Sequence, residues 1–268
     1  MIIGTAEERR AYDKDPNLMS KSQFMALSRK KCQMPYKYRW KDEIEFEPEP
    51  GDPKIIGTMV HEAIEQLIKN LAEIPFNIYK HKGLDTWTPE LDVKIISSFG
   101  NFLYHYNRIT YGKYNLLPKY MEVVAQEGRE IGTLDQVWEM EDGSLAVIEI
   151  KNSKFPSNLA DIRIETAFYA RLVGASHIGA FFLRESESRP NGGFFFEPLK
   201  PALEKRVEEH LEKAWTIRKS GDFKRVPTVL CAYCDYIDIC REECTSAEKK
   251  ELKKQLDLGK RIKKSNGW

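Results

Sequence analysis

The chain has 268 residues, of which 41% are hydrophobic and 11% aromatic, which is enough apolar material for an ordered core. Its 42 basic and 41 acidic residues leave a formal net charge of +1. The overall charge therefore does not indicate a nucleic-acid partner. No apolar run approaches membrane-spanning length and no signal-peptide core is present, so we expect no membrane partner and a cytoplasmic or nucleoid-facing location.

The first half of the chain is predicted to be mainly helical. Residues 1–19 are polar, and we expect no regular structure in them. Ser20 is a suitable N-cap for a short helix that extends to about Lys30. Apolar residues at helical spacing predict a helix from Gly57 to about Leu71, and another is predicted from about Pro89 to Tyr111.

From residue 120 onward the hydrophobic pattern changes to the period of two that is typical of strands. Gly174 is a suitable end for a helix that precedes it. The order of helix, three strands, helix and one or two further strands predicts an α/β core surrounded by helices. The predicted strands are 120–126, 130–139, 144–151, 177–183 and 194–196, and the predicted helices of this half are 158–173 and 201–220.

Charge is uneven along the chain even though the total is balanced. The segment from Ser20 to Lys41 carries seven basic residues, Lys21 among them, and no acidic residue. The tail from Thr245 carries eight basic residues against three acidic ones. Such clusters can contact phosphates, but a solvated helix face is the commoner explanation for any single cluster.

The predicted strand that ends at Lys151 finishes with two charged side chains on the same face. Glu149 and Lys151 are two positions apart, and alternate side chains of a strand point to one side. Burying these charges beside Leu, Val and Ile is costly unless a site uses them. Asp135 from the neighbouring strand and His61 from the helix that starts at Gly57 would complete a divalent-metal site beside a cationic side chain.

These residue types suit the hydrolysis of a phosphodiester bond. Mg²⁺ and Mn²⁺ prefer oxygen ligands, and Mn²⁺ also tolerates an imidazole. We expect carboxylates from Asp135 and Glu149, a ring nitrogen from His61 and the backbone carbonyl of Ile150 to hold the metal. The metal would polarise the phosphate, while Lys151 neutralises charge that builds on phosphorus or orients the attacking water.

The three motifs occur in a characteristic order. The order is a histidine on a helix, then Gly132-Thr-Leu-Asp135, and then Glu149-Ile-Lys151. Each motif alone is weak evidence for a catalytic site. In this order, on these elements, they resemble the PD-(D/E)xK nuclease superfamily, and within it the RecB-like exonuclease branch. The resemblance implies an α/β fold with a restriction-endonuclease-like core, in which helices flank a central mixed sheet, and with helical and cysteine-cluster extensions. It also implies catalysis by Asp135, Glu149 and Lys151, with His61 as a metal ligand.

The same branch carries a Gln-x-x-x-Tyr motif on the helix after the Glu-x-Lys strand, which implies a function in positioning DNA. The matching segment here is Glu165-Thr-Ala-Phe-Tyr169. Tyr169 fits the motif, whereas Glu165 replaces an amide that donates hydrogen bonds by a carboxylate that only accepts them. This departure concerns the positioning of DNA and leaves the metal site unchanged.

Cysteines are concentrated near the C-terminus, where Cys231, Cys234, Cys240 and Cys244 follow one another closely. In a chain without an export signal, such clustering indicates metal ligation more than disulfides. One ligand set combines Cys32 with the first three of these residues around a four-iron, four-sulfur cluster, and the other uses all four in a zinc knot. The spacing alone does not decide between the two sets.

The resemblance favours the iron–sulfur cluster. Iron–sulfur members of the branch, including the CRISPR-associated RecB-like exonucleases and the AddB-type nuclease domain, have one ligand cysteine before the nuclease core and three after it. The stretch Cys32-Gln-Met-Pro-Tyr-Lys-Tyr38 resembles the first ligand site, and Cys231-Ala-Tyr-Cys234 with Cys240 resembles the other three. The resemblance implies a structural 4Fe–4S cluster, with Cys244 as an additional free thiol.

The sequence predicts three segments: 1–56 with the basic helix and first cluster cysteine, 57–200 as the nuclease core, and 201–268 with a helix, the cysteine cluster and a basic tail. The resemblance implies a nucleoid-associated or phage-encoded exonuclease for free DNA ends, single-stranded and 5′-to-3′. It would act in recombination, repair or DNA-end processing, with recombination or CRISPR-type proteins as candidate partners. Two rivals stay open, a structure-specific endonuclease with the same core and a non-catalytic DNA-binding module with a zinc knot.

Overall fold

The computed structural model describes residues 15–28, 32–46, 57–62, 117–154, 158–184 and 193–265, the backbone of 2–5, and the single residues 55, 64, 100, 102 and 156. The helix predicted from Pro89 to Tyr111 lies outside these residues except at 100 and 102, which are both helical. Of the helix predicted from Gly57, residues 57–62 and 64 are described, and they are helical. No helix among the described residues is long and apolar enough to cross a membrane.

Contacts divide the chain into two compact units, each assembled from segments that are distant in the sequence. The first unit comprises Met1–Lys21 and Pro48–Val207, and the second comprises Ser22–Glu47 and Glu208–Trp268. Two of the boundaries fall within the helices α1 (Lys21–Ser28) and α4 (Pro201–Ser220), and the third falls between Glu47 and Pro48. Each unit therefore depends on contacts between its two segments.

The first unit is built on a mixed sheet of seven described strands. They are ordered β1-β3-β4-β5-β6-β7, with β2 paired to β4. The β2–β4 and β5–β6 pairs are parallel and the others are antiparallel. The central mixed sheet predicted from the sequence is therefore confirmed. The strands are β1 (Ile2–Thr5), β2 (Met19–Ser20), β3 (Leu117–Glu127), β4 (Glu130–Glu139), β5 (Leu145–Lys151), β6 (His177–Phe182) and β7 (Phe194–Pro198).

The expectation that residues 1–19 have no regular structure is wrong at two places. Residues of β1 pair with β3, and Met19 and Ser20 pair in parallel with Glu130 and Ile131 of β4. Strands of four and two residues are too short for a period of two to stand out in a sequence. Their partners in the sheet, far away along the chain, decide their conformation.

A tight hairpin joins β3 to β4 and sets which side chains stand opposite one another. The turn contains Gly128, whose φ of 55° lies in the left-handed region that glycine adopts without strain. The pairing then continues through Met121 opposite Gln136 and Val123 opposite Leu134. The residues between these pairs, 122 and 135, therefore also stand opposite one another.

The helix α3 (Ala160–Val173) connects the parallel strands β5 and β6. Parallel neighbours need a crossover of this kind because a tight turn cannot join them. The helix ends as predicted at Gly174, whose φ is 66° and whose N–H bonds to the carbonyls of Ala170 and Arg171. The crossover positions α3 beside the end of β5, where the predicted catalytic residues lie.

The helical segment 57–62 is fixed to the sheet by apolar contacts. Val60 and Ile64, one turn apart, belong to the same buried cluster as Ile148 and Ile150 of β5. Residues four apart lie on one face of a helix, so this face is the one that meets the strand. The packing holds His61, which follows Val60, next to the end of β5.

The second unit is helical. Its elements include α2 (Met34–Tyr36), which continues as a π-helix over Lys37–Lys41, and the helices α5 (Ile237–Glu243) and α6 (Ser246–Ser265). The N–H of Gln33 donates to the carbonyl of Lys224 at 2.8 Å, and the N–H of Lys224 donates to Oε1 of Gln33 at 2.9 Å. These two bonds hold the segment around residue 33 against the C-terminal part of the chain.

Candidate active site and metal centre

The first functional side chains meet where β4 and β5 cease to pair. Their pairing extends as far as Gln136 opposite Ile148. Beyond it, the N–H of Ile150 donates to Oδ2 of Asp135 at 2.7 Å. The carboxylate of Asp135 is therefore held against the backbone of β5 beside Glu149.

His61 brings an imidazole to the same place. Its Nε2 lies 3.0 Å from the carbonyl oxygen of Ile150, and its Nδ1 lies 3.5 Å from Oδ1 of Asp135 and 3.6 Å from Oε1 of Glu122. Burial alone would lower the pKa of His61, but the Asp135 and Glu122 carboxylates outweigh it and raise the pKa well above its usual value. The ring therefore bridges the carboxylates and the β5 backbone.

Glu122 is a member of the site that the sequence analysis missed. One ligand atom each from His61, Glu122 and Asp135 lies within 4.8 Å of the others, a spacing that lets three groups share one cation. The φ of Glu122 is 46°, and such strain in a residue with a side chain concentrates at functional sites. No local sequence pattern marks it, because it is the observed β3–β4 register that aligns it with Asp135.

Glu149 is a buried acidic residue beside Asp135. The residue is only 3% exposed, and within the part of the chain that the structure describes its Oε2 has no hydrogen-bond partner. Burial and the neighbouring Asp135 together raise the pKa of Glu149 to about 8. A buried oxygen without a partner is costly in a folded protein, and a bound cation would remove that cost.

Two lysines stand beside these acids and share a further carboxylate, that of Glu165. Lys151 lies 3.2 Å from Oε1 of Glu149 and donates to Oε1 of Glu165 at 2.8 Å. Lys21, at the start of α1, donates to that same Glu165 oxygen at 2.5 Å. Burial alone would raise the pKa of Glu165, but the two ammonium groups outweigh it and lower the pKa to about 2. Glu165 is thus ionised and holds both lysines.

Tyr169 lies beneath this group of charges. It is 3% exposed, and the Lys21 nitrogen lies 5.4 Å from the centre of its ring. A Cβ atom at Gly132 would come within 2.5 Å of Cε1 of Tyr169, so only glycine lets α3 approach β4 this closely. The glycine of the Gly-x-x-Asp motif therefore makes room for the tyrosine.

The donor set fits a divalent cation. His61 offers a ring nitrogen, and Glu122 and Asp135 offer carboxylate oxygens at a spacing that suits one cation. The predicted ligand Glu149 lies outside this group of three, next to Asp135, and Ile150 offers a carbonyl oxygen that lies 3.0 Å from Nε2 of His61. Oxygen-rich sets suit Mg²⁺ and Mn²⁺, and the imidazole favours Mn²⁺ of the two. The partnerless Oε2 of Glu149 is the observation that most directly indicates a ligand.

The raised pKa of Glu149 gives a prediction for the protein in buffer without divalent cations. Between pH 4.5, its usual pKa, and about pH 8, the folded state holds a proton that the unfolded state releases. The free energy of unfolding should therefore fall as the pH rises through this window, by an amount on the order of a few kcal/mol. Chemical denaturation at a series of pH values measures it.

Glu149→Gln is the control for this prediction, because glutamine resembles the protonated carboxyl and does not titrate. We expect the variant to be more stable than the wild type near pH 8 in buffer without divalent cations, and its stability to change less across the window. Parallel stability profiles for the two proteins would contradict the assignment of the titration to Glu149.

All five cysteines lie in the second unit and come together there. Cys32, Cys231 and Cys234 pack against the buried cluster that contains Cys240 and Cys244. Burial raises the pKa of Cys234 to about 11, and the neighbouring thiols of Cys231, Cys32 and Cys240 add to this effect. The N-terminal cysteine therefore lies beside the three C-terminal ones, although the chain between them belongs largely to the first unit.

Comparison with known proteins adds a family to this geometry. The family model described as "PD-(D/E)XK nuclease superfamily" matches residues 28–241. The chain belongs to this superfamily. Membership makes it a metal-dependent nuclease with DNA as its substrate, and its restriction-endonuclease-like fold agrees with the mixed sheet and flanking helices.

Comparisons with curated proteins and with solved structures do not narrow the assignment beyond the superfamily. No curated protein matches the chain. Among solved structures, one described as "Crystal structure of SSO0001" is 17% identical and has a TM-score of 0.41, with 90% of this chain and 93% of that chain covered.

Proposed function

We propose that the protein is a metal-dependent DNA exonuclease that hydrolyses phosphodiester bonds from free ends, with single-stranded DNA and 5′-to-3′ polarity as the expected preference. The observation that carries the catalytic part is the buried Oε2 of Glu149, which has no hydrogen-bond partner within the described residues and belongs to a side chain beside Asp135 and Lys151. The RecB-like order of motifs supports the preference for DNA ends.

Some side chains of the site would bind the cation, and Lys151 would stabilise negative charge on the phosphate. His61, Glu122 and Asp135 would hold the cation, and we propose that Glu149 and the carbonyl of Ile150 complete the set of ligands. A divalent cation bound there would polarise the scissile phosphate and lower the pKa of a bound water. The Ile150 N–H fixes the orientation of the Asp135 carboxylate, so that this ligand is held in place before substrate arrives.

Lys151 acts as a cation rather than as a base in this proposal. Burial alone would lower its pKa, but the carboxylates of Glu149 and Glu165 outweigh burial and raise it. The amine is therefore protonated at neutral pH and cannot accept a proton from water. Its ammonium group would stabilise the negative charge that develops on the phosphate in the transition state.

We also propose that Cys32, Cys231, Cys234 and Cys240 bind a 4Fe–4S cluster with a structural function. The support is that these four thiols are electrostatic neighbours within one unit, as the pKa values of Cys32 and Cys234 reflect. Cys244 lies beside Cys240 at the end of α5. A zinc knot that uses Cys244 instead of Cys32 is the alternative.

Linear and circular single-stranded DNA of equal sequence test the exonuclease proposal. In Mn²⁺ buffer we expect complete degradation of the linear molecule and persistence of the circle, because only the former offers an end. Rapid loss of the circle would favour an endonuclease with the same core. Labels at the 5′ or the 3′ end of the linear DNA report polarity, since the labelled end that is shortened first is the entry point.

The biological setting follows from the same proposal. An enzyme that needs free ends would act in recombination, repair or DNA-end processing, inside the cell and in company with recombination or CRISPR-type proteins. These partners rest on the RecB-like resemblance of the motifs, and DNA remains the partner that the superfamily itself implies.

A further inference from the structure

A second lysine stands in the active site, and none of the motifs accounts for it. The ammonium group of Lys21 donates to Oε1 of Glu165 at 2.5 Å, and that of Lys151 donates to the same oxygen at 2.8 Å. Lys151 also lies 3.2 Å from Oε1 of Glu149, so the two ammonium groups face two carboxylates here. Lys21 therefore adds a second cation beside the one that the motifs supply.

The position of Lys21 is fixed through both its backbone and its side chain. Its backbone follows β2, whose residues Met19 and Ser20 pair with β4 four to five positions before Asp135. Its side chain lies over the ring of Tyr169, 5.4 Å from the ring centre, and contacts Glu165 one helical turn earlier. Fixing a long, flexible side chain costs conformational entropy, so this placement is not that of a solvated surface lysine.

The group is nevertheless open to a ligand. The Lys21 side chain is 21% exposed, and that of Lys151 is 22% exposed, whereas Glu165 between them is 10% exposed. An ammonium group has three N–H donors, and the bond to Glu165 uses one of them. An anion that reaches the site therefore meets two cationic side chains which share a buried counter-ion.

We propose that Lys21 is a second phosphate-binding residue of the active site. It contacts a non-bridging oxygen of the DNA backbone next to the scissile phosphodiester bond, where Lys151 stabilises the charge that develops on the phosphate. The proposal rests on the nuclease function proposed above. Glu165 is then a positioning residue for both lysines. Glutamine at this position would leave two like charges side by side in a partly buried site, which is costly.

Salt dependence of DNA binding tests the proposal without cleavage. The dissociation constant of a labelled single-stranded oligonucleotide is measured across salt concentrations in buffer without divalent cations. Removing one lysine–phosphate interaction lowers the magnitude of the slope of log K against log salt by about 0.7 for single strands. We expect Lys21→Met to show this decrease and about 10-fold weaker binding, and Lys21→Arg to keep the wild-type slope.

Two further variants separate a phosphate contact from a simple counter-ion. Lys205→Met removes an exposed lysine of α4 in the same unit and should leave both the slope and the affinity unchanged. The double variant Lys21→Met/Glu165→Gln keeps the charge balance between position 165 and its lysines. We expect it to retain the reduced slope and weak binding, because the phosphate contact is still missing.

The proposal would be overturned if Lys21→Met kept the wild-type slope of log K against log salt. It would also be overturned if the double variant recovered both the wild-type slope and the wild-type affinity. Either result would leave Lys21 as a counter-ion of Glu165. Lys21→Gln removes the charge with a different side chain and serves if the methionine variant does not unfold cooperatively. Cleavage in Mn²⁺ by the wild type, and its loss in Asp135→Asn, are measured on the same preparations. Absence of wild-type cleavage would contradict the proposed function, whereas the slopes would still report on Lys21.

Discussion

Replacing Asp135 by asparagine is expected to lower the maximal rate of DNA hydrolysis in Mn²⁺ by at least about 10³-fold, equivalent to about 4 kcal/mol of transition-state stabilisation. The reason is that this carboxylate lies 3.5 Å from Nδ1 of His61 and accepts the N–H of Ile150, so it is placed to hold a cation between helix and strand. Asparagine keeps an oxygen for the Ile150 bond, so the fold should persist. Single-turnover cleavage of an end-labelled oligonucleotide measures the rate, and thermal unfolding checks the fold.

Glu122→Gln is the matched comparison, since it makes the same exchange of carboxylate for amide on the paired strand. We expect it mainly to raise the Mn²⁺ concentration needed for half-maximal cleavage, by about 10-fold, because the cation keeps its other ligands when this one carboxylate becomes an amide. Wild-type rates in Asp135→Asn would show that the carboxylate takes no part in hydrolysis. Such a result would remove the metal site from the mechanism.

Replacing Cys32 by serine is expected to abolish binding of the 4Fe–4S cluster. Iron should fall from about four atoms per chain to near zero in protein purified without oxygen, and the brown colour should be lost. Metal binding contributes folding free energy, so we also expect the thermal midpoint of unfolding to fall by about 10 °C. Iron analysis, the visible absorption spectrum and thermal unfolding measure the three effects.

Cys244→Ser is the control, because it removes a thiol from the same buried cluster but not from the proposed ligand set. We expect it to keep the iron and the colour. The opposite pattern, with metal retained in Cys32→Ser and lost in Cys244→Ser, would replace the iron–sulfur assignment by a zinc knot. Zinc rather than iron in the wild type would lead to the same correction.

Several parts of the site can be derived from single elements of the sequence. The pair Glu149 and Lys151 stands out because two charges end an apolar strand, and their two-residue spacing places them on one face. The stop of α3 at Gly174 follows from the left-handed conformation that glycine adopts there. Such features depend on neighbours within one helix or strand, and a local pattern is therefore enough to predict them.

Other parts depend on contacts that no local pattern contains. Glu122 joins the site because the β3–β4 register aligns it with Asp135, and a shift of one residue would turn it to the opposite face. Lys21 reaches Glu165, 144 positions away, because the two residues of β2 pair with β4. In the sequence Lys21 is only one member of a basic cluster.

The sequence by itself determined the central sheet and its flanking helices, because long strands and helices follow from local periodicity. Its motifs resemble those of the superfamily, and the family model confirms that membership. Only the tertiary structure decided which further charges enter the site and which atom lacks a partner. The carboxylate of Glu149 is left with a partnerless oxygen, among the described residues, by the way strands and helices from distant parts of the chain pack around it. Burial and charge pairing are properties of that packing, and no single segment of the sequence contains them.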